Sequence, residues 1–137
     1  MKTKLLTICL LLFTSQVFAE NIFNWELISA SRDGAAKLYA DKNSIRKNNS
    51  GHYIVWTLTN IFQGVDAGKS NVISQECDCA QLRYRWIYFE NYSNHNGKGK
   101  KNFALDAEKI KAEGFYNWVY PKPTKNNYLL INWVCKN

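Results

Sequence analysis

The cysteines are the residues of this chain with the clearest chemical potential. Cys77 and Cys79 are separated by a single residue, Cys135 is the third residue from the end, and Cys9 lies near the start. Residues i and i+2 of a strand project from the same face, so a strand through this stretch would present two sulfur atoms together. Such a pair suits a metal site, a redox site or a disulfide.

The other residues of the sequence argue against metal and redox chemistry. A structural zinc site normally has four Cys or His ligands at regular spacing, whereas His52, His95 and Cys135 are far from Cys77 and Cys79 in the sequence. A thioredoxin-like redox site requires Cys-x-x-Cys, which the sequence lacks. We therefore predict no metal and no other cofactor, and one disulfide from this pair to Cys135. Periodicity alone leaves open whether Cys77 or Cys79 forms it.

The start of the chain predicts export to an oxidising compartment, where disulfides form. Residues 1–19 have a basic start, an apolar run and a Val-Phe-Ala end, the pattern of a cleavable secretory signal. The apolar run is well short of the ~20 residues of a membrane span. Cleavage between Ala19 and Glu20 would remove Cys9 and leave a domain of residues 20–137. Since the residues before Cys9 do not fit a lipidation signal, we expect a periplasmic or secreted protein, with the cell surface as a further location.

The composition fits one globular domain with a modest positive charge. The chain is 46% hydrophobic and 21% charged, close to the averages for soluble domains. Its formal net charge is +7, and the predicted signal accounts for two of its lysines. This charge favours polyanionic partners such as acidic proteins or glycans, but it lacks the dense Lys and Arg footprint of a nucleic-acid binder. We predict no nucleic-acid partner.

Short alternating segments separated by turns predict an α+β fold. We expect an antiparallel sheet of about six strands packed by a C-terminal helix, with one disulfide. A basic loop is expected over residues 94–102, a helical turn over 106–113, and a helix over 125–135 with Thr124 as its N-cap. The predicted strands cover residues 24–29, 36–40, 52–62, 70–79, 81–91 and 115–120.

Alternation in the longest predicted strand assigns its faces. Within residues 52–62, one face is the expected core side, and the opposite face carries Tyr53, Val55 and Thr57. The side chains assigned to the core are Ile54, Trp56, Leu58 and Phe62.

The basic residues supply a candidate binding surface. Arg83 and Arg85 alternate with aromatic residues, so both are expected to project from one face of the sheet. The lysines of the loop extend this charge, and Tyr53 and Tyr92 are candidates to join it; a merely solvated loop and sheet face is the alternative interpretation. The side chains expected on the other face of the arginine strand are Leu82, Tyr84, Trp86 and Tyr88. The candidate surface comprises Arg83, Arg85, Lys98, Lys100 and Lys101.

The sequence does not assemble a catalytic motif. It contains no Gly-x-Ser-x-Gly, and His52 and His95 lie in different polar segments. A His52–His95 acid–base pair, as in a small hydrolase, is kept as an alternative. The leading expectation is a non-enzymatic protein.

Short motifs occur in a fixed order through almost the whole predicted domain. They are Trp25, Tyr-x-Asp and Ser-Ile in 39–45, Val-Trp-Thr-Leu at 55–58, Gly-Lys-Ser at 68–70, Glu-Cys-Asp-Cys at 76–79, the arginine strand at 83–88, Tyr92-Ser93, Trp118 with Pro121, and Val134-Cys135. This ordered set resembles the surface-adhesin protein E family.

The resemblance adds expectations of its own. It implies an antiparallel sheet with a C-terminal helix, and a disulfide between Cys79 and Cys135 that leaves Cys77 as a free thiol. The best-known members are bacterial surface proteins that bind host extracellular proteins and form dimers, so the resemblance implies such a partner and a homodimer. The second hypothesis is a periplasmic inhibitor or accessory protein that binds another protein, and the third is the hydrolase.

Overall fold

A computed structural model describes residues 22–137. The predicted signal, its cleavage site at Ala19 and Glu20, and Cys9 lie outside the described residues. The strands are β1 (Trp25–Ala30), β2 (Ala36–Asp41), β3 (Arg46–Lys47), β4 (Tyr53–Ile61), β5 (Ser70–Asp78), β6 (Arg83–Asn94) and β7 (Lys98–Leu105). The helices are α1 (Ala107–Ala112) and α2 (Asn126–Lys136), and short 3-10 turns cover Lys42–Ser44 and His95–Gly97.

All strands join one antiparallel sheet. Its order is β1-β2-β4-β5-β6-β7, with the two-residue β3 paired to one end of β4. Apart from the step over β3, each strand pairs with the next strand of the chain, which short turns permit only between antiparallel neighbours. The predicted sheet of about six strands with a C-terminal helix is therefore confirmed.

Both helices of residues 22–137 pack on the same face of the sheet, which we call the helix face. On α2, Leu130, Ile131 and Val134 are buried against Val55 and Cys77. On α1, Ile110 packs against Ile73 and Phe89. The opposite face, which carries Ile54, Glu76 and Arg85 in paired register, is called the open face.

The predicted core side of β4 is confirmed for Ile54 and Leu58, which are buried, but it is wrong for Phe62, which is exposed, and for Trp56. Val55 and Thr57 are fully buried on the helix face, whereas Trp56 projects to the open face and is half-buried. Ile54 and Leu58 are buried on the open face, so both faces of this central strand are apolar. Alternation cannot identify the helix-covered side of a strand whose two faces are both apolar.

The predicted loop over residues 94–102 is a hairpin. Asn96 and Gly97 both have positive φ, 65° and 66°, which is the backbone of an Asn-Gly turn between twisted strands. The chain then returns as β7, with Lys101 opposite Tyr92 and Phe103 opposite Asn91. The Asn-Gly pair was the signal for this strand, and the surrounding lysines concealed it.

Two further predictions near the C-terminus are corrected. Residues 115–120 form only an isolated bridge, in which Tyr84 and Val119 exchange backbone hydrogen bonds of 3.0 and 2.8 Å. They run along the part of β6 that β7 leaves unpaired. Thr124 does not cap α2; the N-cap position is Lys125, and no side chain caps it.

The disulfide links Cys79, just after β5, to Cys135 in α2, with Cα atoms 5.8 Å apart. The pairing implied by the family resemblance is confirmed. Cys77 carries a free, fully buried thiol. Burial raises the pKa of Cys77 to about 12, and the neighbouring Glu76 carboxylate adds to the shift, so this thiol stays protonated and unreactive at neutral pH.

Neither helix of residues 22–137 has the length and apolar character needed to cross a membrane.

The disulfide closes a long loop, so its removal should destabilise the domain. The residues it joins are 56 apart in sequence, and the loop-entropy relation gives a loss on the order of 4 kcal/mol. The double variant Cys79→Ala/Cys135→Ala, compared with wild type by urea unfolding, measures this loss. Cys77→Ala is the control, with a cavity cost of about 1 kcal/mol and the disulfide intact. A loss below about 1 kcal/mol in the double variant would contradict this account.

Candidate binding groove

A β-bulge in β6 sets the side chains of the open face. Gln75 of β5 pairs with Trp86, but the next residue, Ser74, pairs with Tyr88, so Ile87 is an extra residue. The bulge moves Tyr88 to the face that carries Arg85, against the predicted alternation. The first half of β6 therefore gives this face arginines, and the second half gives it Tyr88, Glu90 and Tyr92.

One end of the open face holds a charged cluster of His52, Glu76, Asp78, Arg83 and Arg85. Arg85 Nε donates to Glu76 Oε2 at 2.7 Å, and Arg83 Nε donates to Asp78 Oδ2 at 2.8 Å. His52 lies between the carboxylates, with Nδ1 2.8 Å from Glu76 Oε1 and Nε2 3.6 Å from Asp78 Oδ2. Each arginine thus faces a carboxylate, and both carboxylate side chains are only 5% exposed.

Aromatic side chains cover this cluster. The Trp118 ring lies 4.3 Å from the Arg83 guanidinium and 4.2 Å from that of Arg85, and Tyr116 lies 4.0 Å from Arg85. The Trp118 and His52 rings also meet at right angles, with centroids 5.3 Å apart. Stacked and paired arginines of this kind hold a segment in place. Arg83 and Arg85 therefore fasten residues 116–120 to the sheet, and they present no free charge to a partner.

The carboxyl groups of the charged cluster are ionised at neutral pH. Burial raises the pKa of Glu76, but hydrogen bonds from Arg85, His52 and Asn48 outweigh it and hold the pKa below its usual value. Burial likewise raises the pKa of Asp78. Hydrogen bonds from Arg83 and from backbone N–H groups outweigh burial, so the pKa of Asp78 also lies below its usual value. The cluster is a structural ion-pair network.

The middle of the open face forms a groove of about 970 Å³. Phe23 stacks on Trp25 with ring centroids 4.6 Å apart and meets Trp56 at 5.6 Å, and Trp56 meets Tyr88 at 5.7 Å. These rings form a continuous aromatic row across β1, β4 and β6. The groove is lined by Ile22, Phe23, Trp25, Trp56, Val72, Glu90, Tyr92, Lys101 and the turn at 96–99.

Glu90 organises the polar wall of the groove. It accepts hydrogen bonds from the hydroxyls of Tyr88 at 2.7 Å and Tyr92 at 2.5 Å, and from Lys101. Burial raises the pKa of Glu90, but these three donors lower it more. Burial and the Glu90 carboxylate raise the pKa of Tyr92 to about 12, so this hydroxyl stays protonated and oriented toward Glu90.

The 3-10 turn at His95–Gly97 forms the end wall of the groove. Asn96 exchanges two hydrogen bonds with Asn60, of 2.9 and 2.8 Å, and Gly97 N donates to Ser70 Oγ at 2.9 Å. A Cβ atom on Gly97 would lie 3.0 Å from Val72 Cγ2, so the turn sits directly on the sheet face. Glycine is required here by this close approach and by its positive φ.

The predicted binding residues divide between two places. Arg83 and Arg85 belong to the charged cluster, whereas Lys98, Lys100 and Lys101 lie exposed on β7. Lys98 and Lys101 line the groove, and Lys101 is paired with Glu90.

Of the two tyrosines considered for this surface, one is in the groove. Tyr92 lines it, but Tyr53 packs on the helix face. The sequence interpretation missed Phe23, Trp56 and Glu90: Trp56 was assigned to the core, and the bulge that turns Tyr88 toward Glu90 has no sequence signal.

The structure removes the His52–His95 hydrolase hypothesis. His95 Nε2 lies 2.8 Å from the carbonyl oxygen of Ile61, at one end of β4, and His52 precedes Tyr53 at the other end. Nine strand residues at ~3.3 Å each separate them by about 30 Å, far beyond hydrogen-bond reach.

The charged cluster should make stability depend on pH. Because the folded-state pKa of Glu76 is lowered, its contribution is present above the unfolded pKa of 4.5 and is lost as pH falls through the folded value. Glu76→Gln should cost roughly 2 kcal/mol at neutral pH and flatten the fall in unfolding free energy between about pH 5 and 3. Asp66→Asn, at an exposed pair with Lys69, is the control and should change neither. Urea unfolding at several pH values decides, and an unaltered slope in Glu76→Gln would refute this role.

The contact between the turn and the sheet can be isolated with glycine variants. Gly64 and Gly97 have positive φ values of 85° and 66°, but nothing lies within 4 Å of a Cβ on Gly64. Each alanine variant bears a φ cost of about 1–2 kcal/mol, and only Gly97→Ala also displaces Val72. We expect Gly97→Ala to be the less stable of the two and to shift the Val72 methyl resonances. Equal stability and unchanged Val72 signals in both variants would contradict the described packing.

Comparison with known proteins bears on the whole domain. A search of curated proteins and a search of solved structures each returned no match. The family model described as surface-adhesin protein E matches residues 25–136, from the start of β1 to the end of α2. The match spans the sheet, both helices and the disulfide, and the chain therefore belongs to the surface-adhesin protein E family.

Proposed function

We propose that this protein is an exported, non-enzymatic adhesin-type module that binds a partner protein through its open face. The observation that carries the proposal is the aromatic groove of about 970 Å³ on a sheet face that neither helix of residues 22–137 covers. Its aromatic lining with a few oriented polar groups is typical of recognition sites. The family match supports surface binding as the role.

The family match and the charge of the chain support a finer proposal for the partner. We propose a host extracellular protein as the partner. The chain would reach it after export, which the predicted signal directs. Removal of the predicted signal with its two lysines lowers the net charge from +7 to +5, and this positive charge favours a partner with an acidic surface. A homodimer in solution is part of this proposal.

A binding measurement tests the proposed function. Purified residues 20–137 should bind immobilised vitronectin or laminin saturably, and Trp25→Ala should weaken binding at least about fivefold because it removes one ring of the aromatic row. Trp133→Phe, on the helix face, is the matched control and should bind like wild type. Biolayer interferometry gives the affinities.

Two results would contradict the proposed function. If neither matrix protein binds saturably, the host-protein partner is refuted. Labelling of intact cells with an impermeant reagent then separates a surface protein from a periplasmic one, and labelling only after outer-membrane disruption would refute the surface location.

A further inference from the structure

We infer that the open-face groove binds an acidic oligosaccharide, with sugar rings on the aromatic row and a carboxylate or sulfate beside Lys98. This inference rests on the proposed function in taking the open face as the contact surface. It adds the chemical class of the ligand, which could be presented on a partner protein or be free in solution.

The floor of the groove favours sugars over an extended peptide. At Val72, Glu90 and Tyr92 the backbone pairs with a neighbouring strand on both sides, so this part of the floor offers no free strand edge for a peptide to extend. It offers ring faces instead. A pyranose has an apolar C–H face that packs on an aromatic ring while its hydroxyls project to the rim.

A second hollow extends the surface that a sugar chain could occupy. A second hollow of about 340 Å³ adjoins it, lined by Asp41, Ser44 and Arg46, and the two share Ile22, Phe23 and Trp56. The shared aromatic rings border both hollows, and polar side chains line each of them. Two adjoining hollows suit a chain of several units better than one compact ligand.

The rim carries more free donors than acceptors. Lys101 uses one of its protons on Glu90, and the Asn96 side-chain oxygen accepts from Asn60, which leaves the Asn96 amide protons free. Lys98 is exposed and forms no ion pair within residues 22–137. Acidic sugars, rich in oxygen acceptors, match such a rim.

The local charge selects an anionic glycan. Glu90 is ionised, since hydrogen bonds outweigh the burial that raises its pKa, and Lys101 neutralises it. Lys98 is left without a partner, so the lining carries one excess positive charge. A ligand whose sugar rings stack on the aromatic row, and which carries at least one carboxylate or sulfate for Lys98, matches both the aromatic lining and the excess charge.

Isothermal titration of purified residues 20–137 at 150 mM NaCl tests the inference. The probes are hexasaccharides of hyaluronan, chondroitin sulfate and heparin, with chitohexaose as the neutral sugar, hexaglutamate as the acidic peptide and a proline-rich decapeptide. We expect at least one acidic hexasaccharide to bind with a submillimolar Kd. Chitohexaose and hexaglutamate should each bind at least about tenfold more weakly, because each lacks one of the two features.

Two charge-reversal variants on one strand provide the control. Lys98→Glu should weaken binding of the acidic hexasaccharide at least about tenfold, whereas Lys100→Glu, which lies outside the groove lining, should change it less than about twofold in screening salt. Both residues are exposed, so neither variant should disturb folding, and circular dichroism checks this. Equal loss in both variants would show general charge attraction and overturn the site.

Further outcomes distinguish failure of the glycan inference from failure of the proposed function. Absence of binding by all three acidic hexasaccharides, or preferential binding of the proline-rich peptide, would refute an acidic glycan. If a matrix protein binds equally before and after enzymatic removal of its glycans, and none of the three acidic hexasaccharides binds, protein binding stands and the glycan inference fails. If the hexasaccharide binds but no matrix protein does, the proposed partner fails and the glycan inference stands.

Discussion

The sheet has two faces, and the two helices of residues 22–137 cover only one of them. The disulfide between Cys79 and Cys135 ties α2 to the end of β5, and Leu130, Ile131 and Val134 fix the side on which it packs. The remaining face must be stabilised without a helix. The ion pairs, the turn and the aromatic side chains of the candidate site provide this stabilisation.

The two ends of the open face are closed by different physical means. At one end, paired carboxylates and arginines lie under Trp118, so buried charge is compensated and holds residues 116–120 along the free part of β6. At the other end, the turn at His95–Gly97 lies on Val72 through a glycine contact and amide pairs. Between them, aromatic side chains cover the sheet only partly. The groove is the space that remains.

This arrangement gives the basic residues roles that differ from those predicted from the sequence. Arg83 and Arg85 attract attention in the sequence because they alternate with aromatic residues, yet both are paired and stacked, and their role is structural. The lysines of β7 are not equivalent either. Lys101 is held by Glu90, Lys100 lies outside the groove lining, and Lys98 supplies the free charge at its rim.

The sequence predicts those elements whose signals are local. Five strands (β1, β2, β4, β5 and β6) and both helices were recognisable from alternation, helical spacing or residue type. The family resemblance chose Cys79 over Cys77 where periodicity could not. The site was less accessible, because it depends on the register between strands. The bulge at Ile87 reverses the side of Tyr88, both faces of β4 are apolar, and the hairpin at Asn96-Gly97 was hidden among lysines. None of these can be inferred from the alternation of a single strand.

The central claim is that the open face is the binding surface, and the indole N–H resonances of the five tryptophans test it directly. Trp25 and Trp56 line the groove, Trp118 covers the charged cluster, and Trp86 and Trp133 pack on the helix face. We would titrate ¹⁵N-labelled protein with a matrix protein or oligosaccharide that binds it. The signals of Trp25 and Trp56 should shift, while those of Trp86 and Trp133 should not. Shifts confined to Trp86 and Trp133 would place binding on the helix face and contradict the account.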